Sequence, residues 1–197
     1  MPETTPKIDP HRTALLIMDY QRGILGTIED SDALVERAKR AIETVREHGG
    51  HIGYVRVAVT PEELAAVPET NKGFAAAKAA GRALWHDQAE TQIDERIAPR
   101  EGDIVVRKRR VGAFSTTDLL ERLRARDIDT LILAGVSTSG VVLSTLRDAA
   151  DRDYRLFVIA DACADPNPTV HEVLTQQVFP RQADVISAGG LAELFAD

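Results

Sequence analysis

Cysteine is nearly absent: Cys163 is the one thiol in 197 residues. That excludes an intramolecular disulfide framework and suits a reducing cytoplasm. Basic charge is outweighed, with 24 Lys and Arg against 31 Asp and Glu and a formal net charge of −7. Neither nucleic acid nor an anionic membrane is expected as a partner, because affinity for either rests on basic patches. No apolar run approaches the ~20 residues of a membrane span, and the first residues lack the apolar segment of a secretion signal. The five histidines, His11, His48, His51, His86 and His171, are scattered without zinc-ligand spacing, so neither a metal nor another cofactor is expected. Internal repeats and low-complexity linkers are missing too.

What remains is an ordinary globular composition, 44% hydrophobic and 28% charged, in a chain long enough for one domain with a sizeable core. Residues 1–12 are polar and proline-bearing and read as a loose arm, leaving 13–197 as a single domain. Apolar runs at 13–18, 52–59, 103–107, 129–134, 154–160 and 183–186 predict six strands. Between them lie helical patterns. Ser31 or Asp32 caps a helix with Leu34, Val35, Ala38, Ile42 and Val45 on its apolar face. A second runs through Leu119, Leu120 and Leu123 from a cap at Ser115 or Thr116, a third covers 141–150, and a fourth covers 169–179. Strands and helices that alternate this strictly predict a three-layer α/β/α domain with a six-stranded, mainly parallel sheet. The segment 61–88 breaks the alternation and reads as a cover over a substrate site, and 161–166 reads as a loop.

The chain is organised around residues 129–150. Leu131, Ile132, Leu133 and Ala134 form a buried parallel strand, and Gly135-Val136-Ser137-Thr138-Ser139-Gly140 turns it into a helix. Such a turn aims backbone N–H groups at an anion, at the carboxyl ends of strands where an open α/β sheet binds its ligand.

Gly135-Val136-Ser137-Thr138-Ser139-Gly140-Val141-Val142 resembles the signature turn of the isochorismatase-like, or cysteine, hydrolases. In that family's amidases the pattern reads G-V-x-T-x-x-C-V and the cysteine is the nucleophile; Val141 occupies its place here. Leu15-Leu16-Ile17-Met18-Asp19-Tyr20-Gln21 is similar to the family's opening motif, and Lys108 with Ala113-Phe114 to its second, K-x-x-x-S-A-F, with Gly112 for the serine. The resemblance implies Asp19 as general acid/base, Lys108 as its charge partner, and a cis peptide bond between Val136 and Ser137. It also implies an oxyanion hole from the N–H groups of Ser137 and Val141, and a homo-oligomer, dimer or tetramer. Gln21, Trp85, His86 and Phe114 are expected at the substrate. The nicotinamidase branch carries an Asp-x-His segment after the second strand; Val55 to Pro61 offers no such ligands.

No other nucleophile is evident. Ser139 lies two positions early, Ser137 and Thr138 have no recognisable histidine partner, and Cys163 falls in another loop as a small buried thiol. Arg107, Arg109 and Arg110 beside Lys108 could greet an anionic substrate, although a solvated surface turn is the commoner fate of such a run. The expected function is hydrolysis of a small molecule without a covalent nucleophile, as in vinyl-ether cleavage by true isochorismatases. The alternatives are a binding protein that keeps the fold without catalysis, and an amidase relative whose cysteine has been replaced.

Overall fold

A computed structural model describes residues 7–195, with the side chains of 76, 77 and 80–82 excepted. Six strands form one sheet: β1 Thr13–Met18, β2 His51–Val57, β3 Ile104–Lys108, β4 Thr130–Val136, β5 Arg155–Ala164 and β6 Asp184–Ile186. Their order is β3-β2-β1-β4-β5-β6, and every pairing is parallel. Every residue of β1 and β4 is buried, which is why these two strands read as unbroken apolar runs. Side chains alternate across β1. Leu15 and Ile17 pack with Leu34, Val35, Ile42 and Val45 of the helix Ser31–Glu47, whereas Leu16 and Met18 pack with Leu119, Leu123 and Leu146 on the opposite face. Two helical layers thus enclose the sheet. Burying each such aliphatic side chain contributes roughly 1.5–3 kcal/mol.

Three local differences from the sequence reading have physical causes. Residues 161–166 are not all loop: β5 runs through Ala164, past a register shift between Leu133 and Gly135, and sets Cys163 opposite Gly135. Asp161 disguises the strand in the sequence; its carboxylate accepts from the Ala188 N–H at 2.7 Å. The arm is not loose where it is described, because buried Ile8 donates its N–H to Leu194 O at 2.9 Å and Lys7 Nζ reaches Phe195 O; residues 1–6 lie outside the described part. The third concerns helix starts. Asp30 holds the N-cap position of Ser31–Glu47 without a side-chain bond, and the helix Leu119–Arg124 starts after Asp118.

The segment 61–88 folds into the helices Pro61–Ala65 and Lys72–Ala80 and a 3₁₀ turn, Gly81–Leu84. A capping box between Thr60 and Glu63 starts the first of them. Phe74 and Leu84 of this segment lie against the carboxyl edge of the sheet, on the wall of the cleft described next.

Candidate active site

Asp19 is the first residue past β1. Its N–H donates to Val55 O at 2.8 Å, and its φ of 60° puts it in the left-handed region that aspartate tolerates better than most residues. That turn leaves the carboxylate at the sheet's edge, 5% exposed. Lys108 ends β3, two strands away, and is paired in register with Val57 of the intervening β2. Its long side chain crosses the end of β2, and Nζ stands 2.8 Å from Asp19 Oδ2. Nζ also donates to Val111 O at 2.9 Å and Arg110 O at 3.2 Å, so all three ammonium protons are used.

Asp19 Oδ1, by contrast, is buried with no hydrogen-bond partner among the described residues. Desolvation raises the Asp19 pKa from 3.8 to about 6, against the opposing pull of Lys108. Burial wins because one cation a bond length away does not replace the water lost from the second oxygen.

The turn after β4 faces this pair. Gly135 is needed there, since a Cβ would come within 2.9 Å of Val142 Cγ2 and 3.1 Å of the Met18 side chain and carbonyl oxygen. The Val136–Ser137 peptide bond is cis. A π-type turn, Thr138–Val142, then leads into the helix Leu143–Ala150. Asp165, just past β5, steadies the turn by accepting from Ser139 N at 2.8 Å and Ser139 Oγ at 2.6 Å. Thr138 has a histidine partner that lies outside any recognisable sequence motif: its Oγ1 lies 2.8 Å from His171 Nδ1. The two come from separate elements, so no local motif announces them. Thr138 is fully buried and does not line the cleft.

The cleft has a volume of about 340 Å³. Asp19, Lys108, Ser137 and Val141 line it together with mostly apolar walls, and Arg110 and Phe74 face it from the covering side. The four other residues expected at the substrate are elsewhere. Gln21 is buried and spent on backbone: Oε1 accepts from Val57 N, and Nε2 donates to Val57 O and Thr91 O. Phe114 packs into the core against Tyr154, with ring centroids 6.3 Å apart. Trp85 is half-buried in a bridge to Val59, and His86 is exposed. Neither lines the cleft. Both follow the covering helices, whose inward side is supplied by Phe74 and Leu84 instead.

No thiol faces the cleft. Cys163 is buried on β5, its Sγ 4.0 Å from Leu133 O, and burial pushes its pKa up to about 12. Among the described residues no group of three His, Cys, Asp or Glu is arranged to hold a metal ion. No described helix is long and apolar enough to cross a membrane.

A buried carboxyl group of raised pKa beside a buried lysine thus lies in a cleft at the carboxyl edge of a parallel α/β sheet, where such folds place their ligand sites. The family described as the Isochorismatase domain matches residues 13–189, and the chain belongs to that family of hydrolases. It is 36% identical over 177 residues to the uncharacterized isochorismatase family protein YwoC of Bacillus subtilis (strain 168), covering 90% of each chain. It is 34% identical over 183 residues to a probable isochorismatase of Pseudomonas chlororaphis, covering 91% of this chain and 84% of that protein. A cysteine hydrolase from Pseudomonas syringae pv. phaseolicola 1448A has the same fold, with a TM-score of 0.84 over 98% of each chain at 21% identity.

Proposed function

We propose that this hydrolase cleaves a small vinyl (enol) ether by proton transfer to carbon, with Asp19 as the acid. The observation that carries the reading is the Asp19 carboxyl group: buried, with its pKa raised to about 6, one oxygen on Lys108 and the other without a partner, at a cleft with no thiol. Val141 stands where the family's amidases have their nucleophile, and its side chain serves only as wall. The similarity to a probable isochorismatase supports the same chemistry.

The proton on Asp19 passes to the terminal carbon of the enol ether, whose π electrons form the new C–H bond. This leaves an oxocarbenium ion on the substrate and a carboxylate on the enzyme, and Lys108 neutralises that carboxylate without moving. Water adds to the cationic carbon and returns a proton to Asp19. Collapse of the resulting hemiketal releases an alcohol and a ketone, so one water is consumed per turnover. The N–H groups of Ser137 and Val141 serve a negative group of the substrate. General acid–base catalysis of this kind contributes roughly 10²–10⁴-fold.

The test is turnover of an enolpyruvyl ether in heavy water. Protonation at carbon puts one solvent deuterium into the methyl group of the keto acid product. Product formed without deuterium at that carbon would refute the mechanism. No turnover of any enol ether would favour the non-catalytic binding protein.

A further inference from the structure

Three arginines flank Lys108, and the structure separates them. Arg107 is engaged by Glu63, with Nη1 2.6 Å from Oε2 and Nη2 3.1 Å from Oε1. Arg109 lies 3.7 Å from the same carboxylate. Arg110 lines the cleft and has no carboxylate partner among the described residues; its guanidinium sits 5.2 Å above the Phe74 ring and donates to Arg109 O. Lys108, the other cation on the wall, has no proton to spare, since its three donors are committed to Asp19, Val111 and Arg110 carbonyls. Among the described residues, Arg110 is therefore the cation of the cleft with guanidinium donors left for a ligand beyond its bond to Arg109 O. Most of the remaining wall is aliphatic or aromatic: Ile24, Val57, Phe74, Leu84, Val111 and Val136.

We propose that Arg110 is the specificity-determining residue of this cleft, holding the carboxylate of a substrate whose apolar body lies against Phe74. The assignment rests on the enol-ether reading for what happens next, and on the geometry alone for binding. Guanidinium offers paired N–H donors that match a carboxylate, and stacking on Phe74 restrains it without consuming those donors. An anion on Arg110 also suits the charge of the site. While Asp19 carries its proton, Lys108 and Arg110 face the cleft with no counter-charge; a carboxylate supplies it. A neutral analogue of the same shape leaves Arg110 to be desolvated unpaired.

Calorimetric titration with benzoate and with benzamide tests the assignment on the full-length protein, wild type and Arg110→Gln. The wild type is expected to prefer benzoate by roughly 10–100-fold, the range for one charge-assisted hydrogen-bonding pair. Arg110→Gln is expected to abolish that preference while leaving benzamide binding and the melting temperature unchanged, which a purely structural arginine would not do. With an enolpyruvyl ether as substrate, the variant raises KM much more than it lowers kcat. Equal binding of the two probes by the wild type, no benzoate binding at millimolar concentration, or a preference that survives Arg110→Gln would each overturn the assignment. Failure of the deuterium experiment would leave these binding outcomes intact, so the two ideas fall separately.

Discussion

Strand β1 is flanked by a close ion pair at each end, one exposed to water and the other buried. At the amino end Arg12 donates to Asp129 Oδ2 from Nη2 at 2.5 Å and from Nε at 2.8 Å, with both side chains 52% exposed. At the carboxyl end Lys108 Nζ and Asp19 Oδ2 meet at 2.8 Å with almost no exposure. Water screens the first pair, and exposed pairs of that kind contribute little. At the second, water is gone, and the carboxylate loses more solvation than Lys108 returns. Two close pairs thus give a solvated surface contact at one end and a carboxyl group of raised pKa at the other. Depth in the fold, not distance, makes a carboxylate useful for proton transfer.

Breaking the buried pair has the larger consequences. Asp19→Asn should lower turnover by about 10²–10⁴-fold while the variant still folds, because the carboxamide fills nearly the same volume; steady-state rates with circular dichroism check both. The pH profile of the wild type follows from the same group. The proposed mechanism makes protonated Asp19 the working form, so kcat/KM should hold below about 6 and fall as pH rises through it. Stability has the same sign: the folded pKa is raised, so the contribution is complete below 3.8 and lost as pH rises through about 6. Asp19→Asn should remove that component from a chemical-denaturation series.

Lys108→Met sharpens the comparison by taking away the cation and leaving the burial. The Asp19 pKa should climb further, moving the alkaline limb of the rate profile upward, and the stability deficit should grow with pH as an unpaired carboxylate is forced to ionise. A limb that moves downward would show that Lys108 does not act through Asp19.

Gln21→Leu should act on stability before chemistry. It strands the Val57 N–H, now 2.7 Å from Gln21 Oε1, at a cost of about 1–3 kcal/mol, measurable by denaturant unfolding. Arg12→Ala, at the exposed pair, should leave both the denaturation midpoint and turnover within error of wild type. A loss of activity there would erase the contrast between the two ends of the strand.

Much of the fold is legible in the chain. Unbroken apolar runs mark β1 and β4 because both faces of those strands are covered, and the apolar stripe of Ser31–Glu47 marks its buried face. The far end of β5 escapes notice because Asp161 interrupts it, and its reason for being there is an amide on another element. In the candidate site, Asp19, Lys108 and the 135–142 turn stand out as motifs. The substrate-facing expectations fare differently. Gln21 and Phe114 belong to nearby motifs but point into backbone and core; Phe74, which does face the cleft, carries no local sign of it, and Arg110 shares its local sign with Arg107 and Arg109. Four consecutive basic residues look alike in a sequence; only Glu63, 44 residues before Arg107 in the chain, separates Arg107 from Arg110.

The sequence by itself determined the alternation of elements, the strand-end position of Asp19 and Lys108, and the lack of a thiol in the turn after β4. These are local properties, written in residue type and spacing. Tertiary structure decided how deep the Asp19 carboxylate lies, which arginine beside Lys108 has no carboxylate partner among the described residues, and that Phe74 and Leu84 of the 61–88 cover face inward. Those depend on what other segments displace water or supply a charge, and neither desolvation nor pairing exists until distant parts of the chain have met.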